Sequence, residues 1–223
     1  MKKTILIAVA GLVALSGCSA TPPATSGNNA APGEASVTCE YQPGGTAVRP
    51  VTPPEGKNVS ASGTVTATLT MNDQPVTLTL DRSKAPCTVN SFLSLASQGF
   101  YDGAACHRLS DSGSLLMLQC GDPSGTGTGG PGYQYADELA GITGYPAGTV
   151  AMANAGSNTN GSQFFLVYGD TQLPPKYTVF ATMDAAGIAV IKAIAAGGQD
   201  NSFGAAGGGR PNSPAVITSV AIG

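Results

Sequence analysis

In two runs, 65–71 and 76–80, every second residue is apolar: Val65, Ala67, Leu69 and Met71 alternate with threonines, and Val76, Leu78 and Leu80 resume the pattern after Asn72-Asp73. A period of two puts those side chains on one face of an extended chain, and a polar pair between two such runs marks a tight hairpin turn. A half-buried hairpin must find further strands to cover its apolar face. Short strand patterns follow at 106–109, 115–119, 149–153, 163–167, 178–182 and 215–222. Two segments read as helices instead. One has Pro86 near its start, Val89, Phe92, Leu93, Leu95 and Ala96 on one face, and Gly99 as its stop; the other is an alanine-rich run at 188–195 closed by Gly197-Gly198. The expectation is a mainly β domain, a barrel capped by two helices.

Charged residues make only 10% of the 223, against about 25% in ordinary domains, while Gly (31) and Pro (16) are abundant. That balance fits a turn-rich β domain. The net charge is −3, with no basic cluster beyond Lys2-Lys3, so the basic stripe of a nucleic-acid binder is missing. With one histidine and no tryptophan, multi-histidine zinc sites are excluded, and a Ser-His-Asp triad would have to be built on His107 alone.

The first residues read as an address. Met1-Lys2-Lys3 precedes an apolar run at 5–15, too short to span a bilayer but suited to a secretory signal. Leu15-Ser16-Gly17-Cys18 follows and resembles the lipobox of bacterial lipoproteins, which implies cleavage after residue 17, a lipid on Cys18 and a membrane-anchored, extracytoplasmic protein. Residues 18–58 are rich in Pro, Ala, Gly, Ser and Thr and poor in branched apolar residues. Such a segment buries too little surface to offset its chain entropy and is expected to be a flexible tether, although the stretch around Cys39-Glu40-Tyr41 is less bland and a candidate to dock on the domain. The folded domain is expected at 59–223.

Gly125-Thr126-Gly127-Thr128-Gly129-Gly130 satisfies a dinucleotide-binding pattern by letter, but that pattern must open a helix and Pro131-Gly132 cannot sustain one. A structural loop is the better reading. Cys106-His107 is no nucleophile pair, because adjacent strand residues point to opposite faces. Once Cys18 is set aside, Cys39, Cys87, Cys106 and Cys120 form an even set with three possible connectivities, expected as two disulfides in an oxidising compartment.

The most unusual stretch runs from Met152-Ala153-Asn154-Ala155-Gly156 to Gly161-Ser162-Gln163-Phe164-Phe165. Together with Cys106-His107-Arg108-Leu109 and Gln119-Cys120-Gly121-Asp122, it resembles the signature of cyclophilin-type peptidyl-prolyl cis-trans isomerases over about residues 59–223. The resemblance implies an eight-stranded antiparallel barrel capped by two α-helices, no cofactor and no metal, and monomeric action on proline-containing polypeptides during protein folding. It places Arg108 on the catalytic arginine. His107, Leu116, Met117, Gln119, Ala153, Asn154, Gln163, Phe165, Leu173 and Tyr177 fall on the substrate-binding positions. Leu116 stands where the family has phenylalanine, Gln172 where it has tryptophan, and Cys120 replaces a glycine. The resemblance also makes the strands carrying Cys106 and Cys120 antiparallel neighbours. A register with Arg108 near Leu118 would then pair those two cysteines and leave Cys39 for Cys87. Two other readings stay open: a proline-binding module that has lost turnover, and a structural surface lipoprotein.

Overall fold

A computed structural model describes residues 33–204 and 207–223; the expected signal peptide and Cys18 lie outside them. In chain order the elements are β1 (Ser36–Val37), β2 (Gln42–Pro43), β3 (Val59–Ser60), β4 (Thr64–Met71), β5 (Gln74–Asp81), α1 (Pro86–Ser97), β6 (Ala104–Ala105) and β7 (Arg108–Ser112). Then come β8 (Leu115–Cys120), β9 (Tyr133–Gln134), β10 (Thr149–Met152), β11 (Phe164–Val167), β12 (Val179–Met183), α2 (Ala185–Ala195) and β13 (Val216–Ile222).

The hairpin forms as its alternation predicts. β4 and β5 pair from Thr64 opposite Asp81 to Met71 opposite Gln74. Asn72 and Asp73 turn the corner at φ 49° and 63°, a left-handed pair that short polar side chains tolerate. The main sheet runs β6-β13-β4-β5-β12-β10-β11-β8-β7, antiparallel throughout. Its two end strands are halves of one bent strand. Cys106 N donates to Ala215 O beside β13, and the next residue, His107, donates from its N to Gln119 O in β8. The change of partner at this bend closes the sheet into a ring, and counting β6 and β7 together gives the eight staves expected.

Alternation then divides inside from outside. Leu69, Leu78, Leu118, Val150, Phe164 and Leu166 join the interior cluster, with Phe92 of α1 against the rings of Tyr101, Phe164 and Phe180 at 5.2, 5.7 and 5.4 Å. α1 packs on β5, β12 and β13, and α2 on β5 and β12. α1 stops where Gly99 was expected to stop it, at φ 67°. Its start lacks a cap from Ala85, and the carboxylate of distant Glu138 accepts from Cys87 N (3.0 Å), Thr88 N (2.9 Å) and Thr88 Oγ1 (2.8 Å) instead. α2 begins three residues before the expected 188, because Asp184 caps it by accepting from Gly187 N at 2.7 Å.

The expected tether at 18–58 is corrected from Ser36 onward. β1 pairs with β3 and β2 with β9, Cys39 is bonded to Cys87, and the Tyr41 hydroxyl donates to Cys87 O at 2.8 Å. Arg49 Nη1 donates to the carbonyls of Phe100 and Asp102 at 3.0 and 2.6 Å, just past the end of α1. Backbone pairing, a covalent bond and one cation hold this arm, so its shortage of apolar residues was no guide to its order. The second bridge, Cys106–Cys120, is also present. The register is one residue from that expected: Arg108 faces Gln119, and Leu109 faces Leu118. The bend at Cys106 brings its side chain back to Cys120.

Candidate active site

One lateral row on the outer face of the barrel carries most of the motif residues. Arg108 faces Gln119, Gln119 faces Phe165, and Phe165 faces Ala151 across β7, β8, β11 and β10. Alternation turns this row outward for the same reason that it turns Leu118, Phe164 and Val150 inward. Met117, Tyr145, Ala151, Phe165 and Val167 form a second apolar cluster separate from the interior, rimmed by Leu115, Ala153, Leu173 and Tyr177 among others. Phe165 is 4% exposed and meets Tyr177 edge-on, with ring centres 5.5 Å apart. Met117, Ala153, Phe165, Leu173 and Tyr177 are thus brought together as expected.

The polar end of the row is tightly connected. The Arg108 guanidinium donates from Nε to Gly207 O at 3.0 Å and from Nη1 to Gln119 Oε1 at 3.5 Å, and the Phe203 ring lies 5.6 Å from its Cζ. Gln119 Nε2 donates to Gln163 Oε1 at 2.9 Å, and Gln163 Nε2 donates to Gly127 O and Gly129 O at 3.0 and 2.9 Å. Those carbonyls are presented by the glycine-rich loop. It is tied down by Asp122, whose carboxylate accepts from Ser124 N, Gly127 N and Gly129 N at 2.8, 2.7 and 3.0 Å. Burial alone would raise the Asp122 carboxyl, but these bonds and that of the Ser124 hydroxyl hold it below its ordinary value. The loop leads into β9 rather than a helix, in keeping with a structural role. Burial lowers the Arg108 guanidinium from its ordinary value, opposed by Tyr177. An arginine so shifted still carries its charge at neutral pH.

Asn154 sits beside the row, donating from Nδ2 to Lys176 O at 2.9 Å, while Ala153 N donates to Gln163 O at 3.0 Å. The first contact ties the Asn154 loop to the segment carrying Leu173 and Tyr177. Gln172 is exposed on that segment, its N donating to Ser114 O at 2.7 Å.

Two expected residues lie elsewhere. His107 is 3% exposed, packed beneath the glycine loop, and a Cβ on Gly127 (φ +84°) would stand 2.9 Å from its Cδ2. Strand alternation separates it from Arg108. Leu116 packs against the interior cluster, and Leu115, on the Met117 side of the strand, joins the outer one. Tyr145, Val167, Phe203 and Gly207 belong to the site but gave no sequence signal. Tyr145 accepts from Tyr177 N at 2.9 Å and donates to Tyr177 O at 3.1 Å, bonds formed across 32 residues of chain. Among the described residues, no group of three or more His, Cys, Asp or Glu is placed to hold a metal ion.

Comparison with known proteins bears on this geometry. Residues 66–222 match the family model described as "Cyclophilin type peptidyl-prolyl cis-trans isomerase/CLD". A protein of Mycobacterium leprae (strain TN) described as a probable peptidyl-prolyl cis-trans isomerase B is 47% identical over 198 residues, which cover 82% of this chain; the chain spans only 65% of that relative's length. Peptidyl-prolyl cis-trans isomerase A of Mycobacterium tuberculosis (strain ATCC 25618 / H37Rv) is 39% identical over 181 residues, 73% of this chain and 94% of that one. The crystal structure of a Cryptosporidium parvum cyclophilin-type isomerase superposes with a TM-score of 0.63 at 27% identity, covering 72% of this chain and 98% of the other. The same parasite protein has been solved in the presence of the dipeptide Ala-Pro, again with 27% identity and a TM-score of 0.61. With the family model matched over most of its length and the motif residues gathered in one row on the barrel, the chain belongs to the cyclophilin-type peptidyl-prolyl cis-trans isomerases.

Proposed function

We propose that this protein accelerates cis–trans rotation about X–Pro bonds in polypeptides folding outside the cytoplasm, with Arg108 as its catalytic residue. Peptide-bond rotation faces a barrier of about 18–20 kcal/mol because it breaks C–N conjugation. At the twisted midpoint the prolyl nitrogen is pyramidal and regains a lone pair. A guanidinium aimed at that nitrogen donates a hydrogen bond that the planar ground state cannot accept, and so stabilises the transition state selectively. The apolar surface of Phe165, Met117 and Leu173 receives the proline ring, while Gln119, Gln163, Ala153 and Asn154 bind the adjoining chain.

The observation that carries this reading is the fixed guanidinium at the end of an apolar row, held on one side by Gly207 O and on the other by Gln119. Donors already held in place need no reorganisation as charge shifts during the reaction. Two disulfides, following a signal-like start and Cys18, support an oxidising extracytoplasmic site with lipid attachment. In a protease-coupled assay on proline tetrapeptides, Arg108→Ala is expected to lower kcat/KM by about 10²–10³ with urea stability retained. Turnover near that of the wild type would refute the assignment.

A further inference from the structure

The rung that joins Arg108 to Gln119 is the last of the β7–β8 ladder, which starts at the turn with Ser112 opposite Leu115. Beyond it the strand leaves β8. His107 N still donates to Gln119 O at 3.1 Å, but Cys106 N donates to Ala215 O at 2.7 Å. Arg108 therefore sits where a ladder ends, and the ends of hydrogen-bonded elements open at the lowest free energy. The Cys106–Cys120 bond joins the two strands just past that rung, two residues before Arg108 and one after Gln119. Cys120 is held from its other side as well, opposite Phe164 of β11. Both cysteines are buried in the interior cluster rather than in the outer row.

We propose that Cys106 and Cys120 are positioning residues for the reaction: their bond fixes how β7 presents the Arg108 guanidinium, without touching the peptide. The proposal rests on the isomerase reading. Arg108 reaches Gln119 Oε1 across the last rung at 3.5 Å, a contact already so long that a small slide of β7 along β8 ends it. Gln119 in turn donates to Gln163 at 2.9 Å, and Gln163 to the carbonyls of the glycine loop, so the same slide would part Arg108 from a chain of amides that is otherwise fixed. A misplacement of about 1 Å can cost about 10²-fold in rate even when the groups that bind the substrate are intact. A covalent bond at the open end of the ladder opposes that slide, and it does so from inside the barrel, leaving the outer face clear for a polypeptide.

The test uses the full chain in two arms. Cys106→Ala/Cys120→Ala removes the bond and keeps Cys39–Cys87. Because two alanines also empty space in the core, the second arm takes Cys39→Ser/Cys87→Ser and compares it with the remaining bond oxidised and after reduction by dithiothreitol in urea and refolding. In each arm, loss of the bond should lower kcat/KM for a proline tetrapeptide about 5- to 50-fold, short of the loss expected for Arg108→Ala. Kd for the same peptide, read by fluorescence anisotropy, should change less than about twofold, because the cluster around Phe165 is untouched. The ¹⁵N relaxation of Arg108 Nε should report a lower order parameter without the bond. A lower urea midpoint with kcat/KM and the Arg108 signal unchanged would show a merely structural bond and overturn the proposal, as would a parallel loss of kcat/KM and Kd. If the wild type turns over no proline peptide while the Arg108 signal still loosens, the isomerase reading fails and the positioning of Arg108 by the bond stands.

Discussion

Strand β7 places Arg108 beside Gln119 on the outer face, while the residue before it turns beneath the glycine loop, so two adjacent basic side chains have opposite surroundings. Burial is the main reason that the His107 imidazole lies below its ordinary value; the Asp122 carboxylate opposes the shift, and Arg108 and Arg210 add to it. The unfolded chain therefore takes up a proton near pH 6.5 that the folded chain does not. More protons bound in the unfolded state means stability that rises with pH, complete above about 6.5 and declining as pH falls below it, by at most about 1.4 kcal/mol per unit. Glu138 acts in the opposite sense at lower pH, because burial raises its carboxyl above 4.5. Urea midpoints at pH 7.5 and 5.5 should separate in the wild type and draw together in His107→Gln; an equal drop in both would place the titration elsewhere. At this scale the motif residues Arg108, Gln119, Gln163 and Phe165 come together across the outer row and its amide chain, whereas His107 and Leu116 turn away from it. A motif records which residues are neighbours in sequence, and a strand sends neighbours to opposite faces.

Helix α1 shows what a single element leaves unsaid in its own sequence. Its apolar face, its early proline and its glycine stop were all readable, whereas its N-terminal acceptor is Glu138, about 50 residues downstream. Removing that carboxylate leaves three donors unpaired at a half-buried helix start. Glu138→Ala should cost about 0.5–2 kcal/mol in urea unfolding at neutral pH, with Glu138→Gln recovering part of the loss because its amide retains one acceptor. Helix α2 was misjudged at its start for a more local reason. The alanine-rich turn behind Asp184 offered no apolar face from which to count, so the cap went unread.

Across the whole molecule, the arm at 36–58 changes what the domain is. Its bond from Cys39 to Cys87 closes a loop of 48 residues that contains the β4–β5 hairpin. In the chain-entropy model that closure is worth up to about 4 kcal/mol. Cys39→Ser/Cys87→Ser should accordingly unfold at a lower guanidinium midpoint than the oxidised wild type, and equal midpoints would show the arm to be energetically idle. Composition concealed this role because a disulfide and a few backbone bonds do here what apolar burial does elsewhere. The bent strand β6–β7 carries a consequence for how the chain is made. Its first half hydrogen-bonds β13, at residues 216–222, and its second half β8, at residues 115–120. A nascent chain emerging from its N-terminus can assemble seven staves and still have an open seam, because the strand that meets β6 has not yet appeared. Until residue 222 has cleared the ribosome, the seam exposes interior apolar residues. A chain arrested before Val216 should therefore be cut by protease near residues 104–107, and one released after Ile222 should resist.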